Sequence, residues 1–71
     1  MAPYTLREEL ERDGTYGRTI EAEIPDELRA RELARWNAEH WPTRRPRRVS
    51  AVLVLDCKGR GIARFTCRQG A

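Results

Sequence analysis

The stretch Thr43 to Arg48, TRRPRR, puts four arginines into six residues around a stiffening proline. Guanidinium forks grip phosphate oxygens in pairs, so a run of this density is a candidate phosphate-binding arm. An apolar run, VSAVLVL, follows it, and beyond that come Lys58, Arg60, Arg64 and Arg68. Arg44, Arg45, Arg47, Arg48, Lys58, Arg60, Arg64 and Arg68 together form a candidate track for a nucleic-acid backbone, with duplex as the expected form. Arg48 opposite Arg68 in a hairpin is costly unless an anion lies between them. Lys58 is the single lysine among fourteen basic residues, which suits bidentate anion contacts, although GC-rich codon usage produces the same preference.

Catalytic chemistry finds little to work with. His40 is the one histidine, no glycine loop of the phosphate-cradling kind occurs, and Gly59 and Gly61 are explained by a turn. Cys57 sits beside Lys58 with neither a base nor an oxyanion donor to assign to it. Cys57, Cys67 and His40 lack the paired spacing of metal ligands. The expectation is a non-enzymatic protein with no cofactor and no metal.

The net charge of +3 conceals two halves of opposite sign. Residues 1–41 hold six arginines against ten acids; residues 42–71 hold seven arginines and Lys58 against Asp56 alone. The acidic half, through Glu21 and Glu23, is therefore a candidate to neutralise the basic half internally. Seventy-one residues make a single small domain, 1–71, near the size at which assembly helps a core, and a homodimer is expected. The sequence carries neither an apolar run of membrane-spanning length nor a stretch resembling a secretory signal, so a cytoplasmic chain without membrane contact is expected.

The elements that must position these residues follow from periodicity. Val49 to Leu55 is too short and too β-branched for a helix, and Ile62 to Cys67 resumes the pattern after a glycine-bearing turn, which predicts a β-hairpin. A three-residue loop, Cys57-Lys58-Gly59 with Gly59 left-handed, pairs Leu53 with Ala63, Ala51 with Phe65 and Val49 with Cys67, giving one wholly apolar face. A two-residue loop sets Leu53 across from Arg64 instead. The first register is expected, with Cys57 and Cys67 as free thiols on the order of 25 Å apart. Thr5-Leu6-Arg7-Glu8 fits a capping box and predicts a short helix from about Leu6 to Arg12. Ile20, Ala22 and Ile24 alternate with Thr19, Glu21 and Glu23, as in a half-buried edge strand. Pro25-Asp26-Glu27 then opens a helix to about Trp41, with Ala30, Leu33, Ala34, Asn37, Ala38 and Trp41 facing inward.

The expected fold is α+β: a small three-stranded sheet, one strand plus the C-terminal hairpin, packed by one long helix, with a short N-terminal helix. The strand-and-helix pattern of Arg18 to Leu33 looks like the first half of a ribbon-helix-helix DNA-binding protein, which implies strand pairing with a twin chain. That resemblance is not adopted, because Glu21 and Glu23 would face DNA and Pro46 interrupts the second helix. The competing functional class is a protein-interaction or inhibitor module, of the kind phage or plasmid regulators use, that docks on an acidic protein surface. Its interface residues would be Trp36, which falls off the inward stripe, with Val52, Val54 and Ile62 as an apolar patch on the sheet.

Overall fold

A computed structural model describes residues 2–10, 15–41 and 49–67. Four strands and one helix succeed each other as β1 (Tyr4–Leu10), β2 (Tyr16–Ile24), α1 (Glu27–Glu39), β3 (Val49–Leu55) and β4 (Gly61–Thr66). The strands form one sheet in the order β2-β1-β3-β4, and every neighbouring pair is antiparallel. The α+β class and the inner position of β3 agree with the sequence reading, while the strand count and the N-terminal helix do not.

The segment expected to be a helix is β1, inserted between β2 and β3. Its apolar residues Leu6 and Leu10 are four apart, a spacing that satisfies both helical and two-residue periodicity. Burial decides between them: Tyr4, Leu6 and Glu8 alternate inward in steps of two. Glu8 disguised this alternation, since a carboxylate at an inward position read as the closing residue of a capping box. A seven-residue helix has little stability in water, whereas β1 forms ladders on both sides and buries Leu6 completely. That burial contributes about 2 kcal/mol. β2 pairs with β1 of its own chain, so nothing requires a twin strand.

The hairpin holds a compromise between the two loops considered. Asp56 and Arg60 close a three-residue loop, the Asp56 N–H donating to the Arg60 carbonyl at 2.9 Å, and Gly59 takes a φ of 79° as expected. The Asp56 carboxylate accepts the N–H groups of Lys58 and Arg60, each at 2.9 Å. One step further, Leu55 pairs with Gly61 but Val54 pairs with Ala63, so Ile62 is an extra residue in β4. From there the register is the one assigned to the shorter loop: Leu53 faces Arg64, Val52 faces Phe65 and Ala51 faces Thr66. The expected pairs Leu53 with Ala63, Ala51 with Phe65 and Val49 with Cys67 are therefore each displaced by one. The bulge lets the turn keep its favoured geometry while Val52, Val54, Ala63, Phe65 and Cys67 share a face.

That face is the one α1 covers. Asp26 caps the helix, accepting the Arg29 N–H at 3.2 Å, and Ala30, Ala34 and Ala38 are fully buried against the sheet. Three alanines four apart bring the helix axis close to the strands, and Leu6, Val52 and Val54 fill the space beneath. Val52 and Val54, expected with Ile62 as an interface patch on the sheet, are completely enclosed, and Ile62 is half-buried beside them. The helix is thus on the side of β3 opposite to that implied by the expected register.

The other face is closed without a helix. Leu53 and Leu55 are only 6% and 4% exposed. Tyr16 reaches across from β2, its hydroxyl 3.9 Å from the point where a Cβ on Gly61 would lie, with the Arg7 guanidinium carbon 5.6 Å from its ring centroid. Register irregularities in β1–β2 pairing supply the coiling that such a reach demands.

Candidate functional site

The predicted basic track separates into pieces. Lys58 and Arg60 sit at the turn, the end of the hairpin opposite Val49, and Arg60 pairs with Asp56, Nε to Oδ2 at 3.2 Å. Hydrogen bonds from the Arg60 and Lys58 backbones, and the Arg60 side chain, hold the Asp56 carboxyl below its usual range. Arg64 lies mid-strand and donates to Glu9, Nη2 to Oε2 at 2.8 Å and Nε to Oε2 at 3.0 Å. This pair bridges β4 to β1 over β3, where the small Ala51 leaves room. Ser50 Oγ donates to the same carboxylate at 3.2 Å. The Arg64 contact lowers the Glu9 carboxyl and raises Arg64 in turn. Glu9, not Glu21 or Glu23, is therefore the internal partner of the basic strand; β2 lies at the far edge of the sheet from β4. Arg44, Arg45, Arg47, Arg48 and Arg68 lie outside the described residues.

Their neighbours in sequence are described. The Cys67 N–H donates to the Ser50 carbonyl at 2.9 Å, and Val49 and Cys67 belong to the core cluster against which Trp41 packs. Ser50 and Cys67, close in sequence to two of those arginine-bearing segments, therefore lie side by side at one end of the sheet. At that end a cleft of about 390 Å³ opens between β2 and the last turns of α1, lined by Glu8, Arg18, Thr19, Ile20, Trp36, Asn37, His40 and Trp41.

Each wall of the cleft has a local cause. Trp36 is 59% exposed because it falls off the alanine stripe, and the ring of His40, one turn later, stacks on it at 4.3 Å between centroids. The Asn37 amide donates to the Leu33 carbonyl at 2.7 Å. Glu8 is 2% exposed, with Oε1 accepting the Arg18 N–H at 3.1 Å. Gly17 makes that contact possible, because a Cβ there would fall 2.7 Å from Glu8 Oε1. Burying a carboxylate costs several kcal/mol, a cost that hydrogen bonds such as the one from the Arg18 N–H offset. Nearby, burial foremost and the charge of Glu8 push the Cys67 thiol up to about 11, while Cys57 is exposed; both cysteines are free, as expected.

Sequence reasoning picked out Trp36 but missed Glu8, Arg18, Asn37 and Trp41 as parts of one site. The signal for Glu8 lay in the alternation Tyr4, Leu6, Glu8, Leu10, and it becomes readable only once β1 is known to be a strand. Among the described residues no group of histidine, cysteine or acidic side chains is arranged to hold a metal ion, and no helix is long and apolar enough to cross a membrane. No protein-family model, curated protein or solved structure matches the chain.

Proposed function

We propose that this chain is a nucleic-acid-binding protein whose phosphate contacts come from Arg44, Arg45, Arg47, Arg48 and Arg68, with duplex as the form bound. What supports this reading is that Trp41, Val49 and Cys67, all held in or against the core, flank segments 42–48 and 68–71, which carry five arginines and no acid in sequence. Arg18, exposed on the cleft wall, adds a further cation there. Arg60 and Arg64 belong to internal ion pairs and take a minor part, so the binding surface is an end and not a track along the hairpin.

The test replaces the four connector arginines by glutamine in one variant and Arg60 with Arg64 in another. Binding of a labelled duplex should fall by orders of magnitude in the first and by less than about tenfold in the second. Equal loss in both would refute this placement. A second reading has its own support in the exposure of Trp36: docking on an acidic protein, anchored by that ring. Under it, Trp36→Ala would abolish binding of the protein partner while leaving duplex affinity unchanged.

A further inference from the structure

We propose that the cleft between β2 and the C-terminal turns of α1 binds a flat aromatic ring that carries an anionic group. Its volume of about 390 Å³ takes a bicyclic ring with a short acid chain, within the range of small-ligand sites. The ring platform is already assembled. Trp36 and His40 stack with 4.3 Å between centroids and 18° between planes. A carbonyl oxygen only accepts, so the 2.9 Å contact between His40 Nδ1 and the Trp36 carbonyl places the hydrogen on Nδ1. The His40 backbone N–H donates to the same oxygen at 3.0 Å. These two bonds pin the imidazole on the indole, so a further ring meets a fixed surface and little ordering is lost on binding. Ile20 and Trp41, half-buried and packed against the core, supply apolar wall beside the stack.

Charge assigns the anion. The Arg18 guanidinium has no acid partner among the described residues, and the residue is exposed on the cleft lining. It is the Arg18 backbone N–H, not the side chain, that holds Glu8. Glu8 itself is 2% exposed and engaged in its own contacts, so it closes the floor and takes no part in binding. A carboxylate or phosphate on the ligand therefore sits at the exposed side of the cleft, where the Arg18 fork takes two of its oxygens. A cationic ligand would meet Arg18 there and is disfavoured. Free aryl carboxylates and nucleotides share this chemistry. The site is independent of the duplex reading, apart from Arg18, which both use.

Both tryptophans of the chain line the cleft, so their two indole N–H signals in a proton–nitrogen NMR spectrum report on it. The purified full chain, free of nucleic acid, would be titrated with 2-naphthylacetate and with AMP. The uncharged controls are 2-naphthylethanol and adenosine, and acetate is the control without a ring. At least one of the two anions should shift the indole signals saturably, and bind roughly tenfold more tightly than its uncharged control. A response to 2-naphthylacetate alone identifies an aryl acid, and a response to AMP alone a nucleotide. Arg18→Gln should erase the tenfold preference, and Trp36→Ala should weaken acid and control alike. No shift with either anion, or equal affinity for charged and uncharged partners, overturns the proposal on the wild-type chain, as does a preference that survives Arg18→Gln. Duplex binding without any such shift leaves the duplex reading standing and removes this site. Selective shifts without duplex binding do the reverse.

Discussion

Replacing Gly17 by alanine tests how tightly β1, β2 and the cleft are built. The new Cβ would lie 2.7 Å from Glu8 Oε1, 3.0 Å from Glu8 Cβ and 3.0 Å from Leu10 Cδ2. Glu8 is fully buried and hydrogen-bonded to the Arg18 N–H, so moving its side chain aside strains or breaks that bond. Overpacking of this kind costs about 1–3 kcal/mol. Alanine returns roughly 0.5–1 kcal/mol by restricting the unfolded chain, leaving a net loss of about 1–2 kcal/mol. In a domain of this size that lowers Tm by roughly 5–15 °C, measurable by circular dichroism. Glu8→Ala removes the closest of the three contacts, so the cost of Gly17→Ala should shrink in that background. A Tm equal to or above wild type for Gly17→Ala would refute the reasoning, and so would strict additivity of the two substitutions.

Three further outcomes follow from the same structure. Cys67 has a thiol raised from 9.0 to about 11, so the native state keeps a proton that the unfolded chain loses. Stability should be constant for this group below about pH 9 and fall by roughly 2–3 kcal/mol as pH rises to about 11, a slope that Cys67→Ala removes and Cys57→Ala does not, read by urea melts. The Glu9 carboxyl is lowered by Arg64, so its contribution is present above its ordinary value of 4.5 and is lost as pH falls through the lower native value. Arg64 is half-exposed, which screens the pair, and Glu9→Gln should cost about 1 kcal/mol at neutral pH while flattening the acid limb of the stability curve. Glu23 sits at a φ of 60°, where a side chain is strained, so Glu23→Gly should melt at or above wild type and Glu23→Val should lose more than about 1 kcal/mol.

What the sequence disclosed depended on whether local pattern and tertiary pairing agreed. Helix α1 was legible to within two residues at its C-terminal end, because Pro25-Asp26-Glu27 and the alanine stripe carry their meaning locally. The edge position of β2 and the inner position of β3 followed from one-sided and two-sided apolar patterns. β1 was not legible, since YTLREEL favours a helix by propensity and becomes a strand only by pairing with β2 on one side and with the distant β3 on the other. The hairpin turn was read correctly, but a bulge at Ile62 moved the rest of the register by one residue and exchanged the faces. That single step put Val52 and Val54 under α1 instead of on the opposite face of the sheet. The cleft was hidden for the same reason, as it needs Glu8 on a strand facing the end of α1.

The salt dependence of duplex binding tests the central claim most directly. The purified chain, stripped of co-purified nucleic acid, would be titrated against a labelled duplex at several salt concentrations, beside the variant lacking Arg44, Arg45, Arg47 and Arg48. Four to five phosphates engaged predict a slope of log K against log salt of roughly −4 for the wild-type chain, falling toward zero in the variant. A wild-type slope near zero, or no binding even at low salt, would contradict the account.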